Sequence, residues 1–280
     1  MKAVTSMTII TPLGTISPYC KYERNCPGFM IEEDKKRVLL DCGNGITRYL
    51  DIPNDLEDLI VIISHLHKDH YGDLSALAYA SYVNKNLGYL QQRIKVYIPE
   101  GDQIDATEDY KDDDGWACSR KVKRNLPDFD YLMNFGQEHF LEFIPYKEKD
   151  ELEHGNIKIS FKRNPHQLVT HSIKLETQDG IIVYSSDTGY KNNTLANFSK
   201  NADILICESS FIKGQNRSTD NHLYAYEAAQ IAKEAEVKQL LLTHLYPEVD
   251  RNLYLQEAKE VFENTHLAEE NKKLVLRRNI

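Results

Sequence analysis

Apolar residues along this chain come mostly in short runs that stop at polar, chemistry-bearing residues. From Leu59 to Ile63 five leucine or β-branched side chains follow one another without interruption. A run that short and that continuous predicts a strand buried on both faces. Ala3 to Ile10 predicts an earlier strand, and Phe29 to Glu32 with Arg37 to Leu40 predicts a hairpin around the polar turn Glu33-Asp34-Lys35-Lys36. Further strands are expected at Ile94 to Ile98, Tyr131 to Met133, Phe140 to Ile144 and Ile157 to Lys162, where Ile157, Ile159 and Phe161 share one face. Gly180 to Tyr184, Asp203 to Cys207, Lys238 to Leu242 and Lys272 to Arg277 complete the set.

Helical periodicity appears in fewer places. Leu74, Leu77, Ala78 and Val83 form a stripe on a helix from about Gly72 to the stop at Asn86-Leu87-Gly88. Small residues Ala225, Ala228, Ala229 and Ala232 with Ile231 mark a closely packed helix from about Leu223 to Glu236, and Arg251 to Phe262 reads as a last amphipathic helix. Asp41-Cys42-Gly43-Asn44-Gly45 ends a strand but lacks the fuller G-x-G-x-x-G pattern, so it reads as a tight turn into a short helix, Ile46 to Leu50. The first half is therefore strand-rich, and strands alternate with helices in the second.

The run from Leu59 delivers His65-Leu66-His67-Lys68-Asp69-His70, four ligand-type residues in six positions. His65 and His67, two apart on an extended segment, project to the same side and can meet one ion. Asp69 and His70, after a turn, can reach a second position nearby. A lone histidine is more often a surface or satisfied core residue. Burying this many imidazoles beside a carboxylate is costly unless a cation pairs them.

Composition narrows the reading. With 280 residues and 41% hydrophobic content a full core is feasible, and one domain over 1–280 with an insertion at about 101–130 is the expected organisation. A formal charge of −9 and a pI near 5.6 exclude a surface that is basic throughout. Cys20, Cys26, Cys42, Cys118 and Cys207 form no C-x-x-C pair, which argues against a thiolate zinc site or a disulfide framework and for a reducing cytoplasm. The amino terminus alternates polar with apolar residues, unlike a signal peptide, and no stretch approaches a membrane span. In the insertion an acidic block precedes Arg120, Lys121, Lys123 and Arg124. It reads as a solvated, charge-balanced segment, or else as an arm that meets an anionic substrate with Trp116 as a stacking element.

The His65 to His70 block resembles the H-x-H-x-D-H signature of the metallo-β-lactamase-fold hydrolases. The resemblance implies an α/β fold of the four-layer αββα sandwich type, and further ligands downstream in the order His, Asp, His. Two histidines compete for the first, His166 at a strand exit and His171 at the start of the next strand. His166 is the choice, with His171 lining the pocket or packing beside it. Asp187 follows the strand Gly180 to Tyr184, and His244 follows Lys238 to Leu242. The implied set is His65, His67 and His166 for one ion, Asp69, His70 and His244 for the other, and Asp187 shared between them. Zinc suits such donors, and manganese or iron also fits a mixed nitrogen and oxygen site. The family usually has Gly where Ser186 stands, and its Asp at the position of Asp41 supports the metal loop; a plain turn role is the alternative for Asp41.

His222, preceding the alanine-rich helix, and Glu208, ending a strand, look like the accessory pair of the ribonuclease Z-like phosphodiesterases. In that chemistry a bridging hydroxide attacks phosphorus, and a His held by a carboxylate protonates the leaving alkoxide. Asp69 would orient the hydroxide and take its proton. The chain departs from the tRNA-processing members in two ways. Only twenty residues separate His166 from Asp187, too few for their tRNA-binding arm, and Tyr224 stands where they have Thr. The expected activity is hydrolysis of a small or single-stranded phosphodiester, RNA or nucleotide. Precursor-tRNA 3′ processing, thioester or lactam hydrolysis, and non-catalytic metal binding are the alternatives. A homodimer, common among related enzymes, is specified by no residue here.

Overall fold

The computed structural model describes residues 7–277 apart from 102, 112–116, 126, 192, 218 and 219, with backbone only for the remainder of 103–128. Two seven-stranded sheets face one another. The first runs, edge to edge, Leu274–Leu276, Thr8–Gly14, Gly28–Glu33, Lys36–Leu40, Leu59–Ile62, Ile94–Pro99, Leu141–Tyr146. The second runs Thr265–Leu267, Gln239–Thr243, Ile204–Glu208, Ile181–Tyr184, His171–Glu176, Ile157–Arg163, Glu151–His154.

The uninterrupted apolar runs are explained by burial on both faces. Ile60 and Ile62 point into the core between the sheets, where they meet Phe161, Ile173, Ile182 and Ile206 among others. Leu59, Val61 and Ile63 point the other way, under helices Leu74–Asn86 and Pro127–Glu138. Ile204 and Ile206 face the inter-sheet core in the same manner, while Leu205 and Cys207 lie under Ala225–Glu234 and Arg251–Lys259. The result is a helix layer, two sheets and a second helix layer, an αββα sandwich. Among the described residues no helix is long and apolar enough to cross a membrane.

Several elements differ from expectation. Tyr131 to Met133 is not a strand but part of the helix Pro127–Glu138. Proline at its first position needs no N–H partner, and Phe129 and Leu132, three apart, are buried against the first sheet. The first strand begins at Thr8 and continues to Gly14. The helix expected from Gly72 splits into one turn, Lys68–Tyr71, and the longer Leu74–Asn86. The polar edge strand Glu151–His154 and the three-residue strand Thr265–Leu267 carry almost no apolar signal. The stretch read as an insertion contains a separate antiparallel pair, Gln103–Lys111 with Ala117–Asn125; Trp116 lies outside the described residues.

Parallel pairing positions the site. Lys36–Leu40, Leu59–Ile62, Ile181–Tyr184, Ile204–Glu208 and Gln239–Thr243 belong to the parallel parts of their sheets, and their carboxyl ends lead to Asp41, His65, Asp187, Glu208 and His244. Ligand sites of open α/β sheets form at such ends.

Candidate metal centre

All seven ligand-type residues converge. His65, His67, His166 and Asp187 each offer one donor atom, all within 4.8 Å of one another, and so do Asp69, His70 and His244. Asp187 lies between the groups: Oδ2 is 3.5 Å from His65 Nε2 and 3.9 Å from His166 Nε2, while Oδ1 is 3.3 Å from His70 Nε2 and 3.0 Å from His244 Nε2. His171 is not among them. It packs in the core against Tyr146 and Phe161.

The outward-facing nitrogens fix the tautomers. His70 Nδ1 donates to Asp41 Oδ2 at 2.7 Å, and His166 Nδ1 donates to the Asn221 carbonyl at 3.1 Å. The Ser64 hydroxyl gives its proton to Asp41 Oδ2, so it accepts from His65 Nδ1 at 3.1 Å. In the neutral form of each ring, Nε2 is thereby left as a lone pair turned inward. His67 presents Nδ1 instead, 2.9 Å from His65 Nε2 and 3.3 Å from His166 Nε2, and can give a proton to only one of them. Asp187 Oδ1 is buried and accepts no hydrogen bond. Bare imidazole nitrogens and an orphaned carboxylate oxygen meeting in a buried space fit a pair of divalent cations.

The electrostatics agree with that donor set for His65, His67 and His166. Burial pushes His65 well below its ordinary value, and His67 down to about 4. Burial also lowers His166, against the pull of Asp187. At His70 burial acts downward too, but the Asp187, Asp41 and Asp69 carboxylates override it and hold the imidazole well above its ordinary value, a pull that a bound cation would replace. For Asp69 and Asp187 burial acts upward, but the neighbouring histidines override it and hold both carboxyls well below the usual range.

Asp41 is a hub and not a simple turn residue. Fully buried, it accepts from the Ser64 amide and hydroxyl, His70 Nδ1 and the Tyr184 hydroxyl. The Gly usual at position 186 also has a physical reason: Ser186 holds a φ of 53°, in the left-handed region. Its hydroxyl donates to Ser64 Oγ at 2.6 Å, tying the Asp187 loop to the His65 loop.

His222 and Glu208 meet beside this cluster, with His222 Nδ1 3.0 Å from Glu208 Oε1 and 3.9 Å from Asp187 Oδ2. Burial pulls His222 down, but the Glu208 carboxylate overrides it and raises the imidazole to about 9. Sequence reasoning missed Ser17, whose hydroxyl donates to Asp69 Oδ2 at 2.7 Å, and Ser210, whose hydroxyl donates to Glu208 Oε2 at 2.8 Å. The only available signal was a small hydroxyl residue just past a strand end.

Comparison with known proteins gives a consistent picture. A family profile described as anti-Pycsar protein Apyc1 matches residues 8–266. The chain is 26% identical over 256 residues to the probable metallo-hydrolase YhfI of Bacillus subtilis, covering 90% of this chain and 93% of that protein. It is 30% identical over 300 residues to ribonuclease Z of Archaeoglobus fulgidus, covering 93% and 95% respectively. The crystal structure of YhfI, a metallo-β-lactamase fold protein, matches with a TM-score of 0.80 and 24% identity across 96% of this chain and 99% of that one.

Proposed function

Because the chain belongs to the family of the anti-Pycsar protein Apyc1, a metallo-hydrolase lineage of the metallo-β-lactamase fold, we propose that it is a dinuclear metal-dependent phosphodiesterase acting on a small or single-stranded phosphodiester. The observation that carries the choice of phosphodiester is the His222–Glu208 pair set against Asp187 and His244. Hydrolysis of a thioester, whose thiolate leaves without a proton, has no comparable need for a proton donor on that side.

In this reading His65, His67 and His166 would hold one ion and Asp69, His70 and His244 the other, with Asp187 shared between the two groups. Bound divalent ions supply activation of water and neutralisation of phosphoryl charge. Zinc is the preferred metal for this donor set. Asp69, held by the Ser17 hydroxyl, would orient the attacking water and accept its proton. His222, with Nδ1 committed to Glu208, is free to deliver the Nε2 proton to the departing alkoxide oxygen.

The test is turnover of bis(p-nitrophenyl) phosphate by zinc-loaded protein, with loss on chelation. A parallel assay on a thioester decides against the reading if the thioester is the better substrate and His222→Ala leaves its hydrolysis unchanged. A second reading, precursor-tRNA processing, is favoured by the 30% identity to a ribonuclease Z. Against it stands the short His166 to Asp187 interval, which is occupied by His171–Glu176 and Ile181–Tyr184 and has no room for an arm. Endonucleolytic cleavage of a precursor tRNA at its 3′ side would replace the first reading with the second.

A further inference from the structure

His244 and His222, assigned above to a metal and to the leaving group, lean on one carboxylate. Glu208 is 1% exposed at the end of Ile204–Glu208. Its Oε1 accepts from His222 Nδ1 and from the Thr188 amide, each at 3.0 Å. Its Oε2 accepts from the Ser210 hydroxyl at 2.8 Å, the Leu223 amide at 3.2 Å and the Ser210 amide at 3.3 Å. Having given its proton to Glu208, the Ser210 hydroxyl has only lone pairs to offer. His244 Nδ1 lies 2.9 Å from it and therefore donates, leaving His244 Nε2 bare toward Asp187 and His70.

We propose that Ser210 is a positioning residue for His244, relaying the Glu208 carboxylate to the second metal position, so that one buried acid orients both the metal-binding and the proton-donating imidazole. The proposal rests on the roles given to the two histidines under the proposed function. Three further observations support it. The two rings are near-parallel, with an interplanar angle of 19° and centroids 5.5 Å apart, so both imidazoles are set in one orientation around Glu208. His244 has a φ of 59°, a conformation that needs support from its surroundings. The Ser210 carbonyl is itself held, accepting from the Tyr254 hydroxyl at 3.2 Å. His70 receives its carboxylate directly, from Asp41; His244 receives its carboxylate through a hydroxyl. Outer partners of this kind keep a ligating histidine in the right tautomer and orientation, and their loss typically costs about 10–100-fold in metal affinity.

The experiment is a zinc titration against a competing chelator on the full chain, with Ser210→Ala, Ser210→Thr and His222→Ala beside the unaltered protein. The rate ratio between a p-nitrophenyl and an alkyl phosphodiester is measured on zinc-saturated samples. The expected result for Ser210→Ala is a second zinc equivalent weakened by about 10–100-fold with the first unchanged. Ser210→Thr, which keeps the hydroxyl, restores it. His222→Ala keeps both equivalents and loses the alkyl ester selectively, because p-nitrophenolate leaves without a proton. Second-site affinity in Ser210→Ala equal to that of the unaltered protein overturns the relay and leaves the proposed function standing. An unaltered protein that takes up no second zinc overturns both.

Discussion

At the scale of single residues, the two histidines that competed for one role in the sequence show what position along a strand decides. His166 lies beyond the end of Ile157–Arg163 and turns toward Asp187. His171 is the first residue of the next strand and is directed into the inter-sheet core, its Nδ1 buried without a hydrogen bond. Burial, reinforced by the Arg163 charge, pushes it down to about 4. The folded state thus refuses a proton that the unfolded chain accepts near pH 6.5. His171 contributes full stability above that value, and the contribution declines as pH falls from about 6.5 toward 4. His171→Phe keeps an aromatic ring against Tyr146 and Phe161 and removes the titration. Urea unfolding at pH 7.5 and pH 5.5 should show the variant losing about 1 kcal/mol less than the unaltered protein on acidification; equal losses would dismiss the account. Ser17, Ser64 and Ser210 could not be read in advance. A serine after a strand is unremarkable until the fold shows which other strand end it meets.

At the scale of elements, three of the four candidate ligand blocks were legible because they follow buried strands, which leave continuous apolar runs. Leu59 to Ile63, Gly180 to Tyr184 and Lys238 to Leu242 all stop where the candidate residues begin, whereas His166 follows the alternating strand Ile157–Arg163. What failed was the short apolar triplet Tyr131 to Met133, where three residues cannot distinguish a period of 2 from one of 3.6 and Pro127 was the better signal. Edge strands such as Glu151–His154 were invisible, since half their residues face solvent and pairing is through backbone. The same view of loops as packed elements assigns a role to Gly189. A Cβ there would come within 1.8 Å of the Asp220 carbonyl, in the segment that carries His222. Its amide donates to the Pro165 carbonyl, next to His166, so three loops meet at this point. Gly189→Ala should push the His222 segment outward and lower kcat/KM on alkyl phosphodiesters by roughly 100-fold, the penalty of misplacing a group by about 1 Å. Initial-rate kinetics on zinc-loaded protein would measure it, and near-normal rates would show that the loops yield without moving His222.

At the scale of the whole molecule, the candidate centre joins the two halves of the sandwich. His65, His67, Asp69 and His70 follow a strand of the first sheet, whereas His166, Asp187 and His244 follow strands of the second. Without cations the edge gathers lone pairs together with two carboxylates, Asp69 and Asp187, whose charges only the neighbouring imidazoles balance. With cations the same atoms would form bonds across the two sheets. Metal should therefore act on the fold as a whole and not merely on activity. Free zinc held about 1,000-fold above its dissociation constant would add about 4 kcal/mol per site to the folded state. For a chain of this length, with an unfolding entropy near 2.1 cal/mol/K per residue, that corresponds to roughly 7 °C in Tm. Chelation, which strips both sites, should therefore lower Tm by about twice that in calorimetry, a fall reversed by zinc. Removing one ligand from either sheet, as in His65→Ala or His166→Ala, should shrink the zinc-dependent gain. Protein shown by elemental analysis to carry zinc, yet melting at the same temperature after stripping, would mean that the ions bind without bridging the sheets.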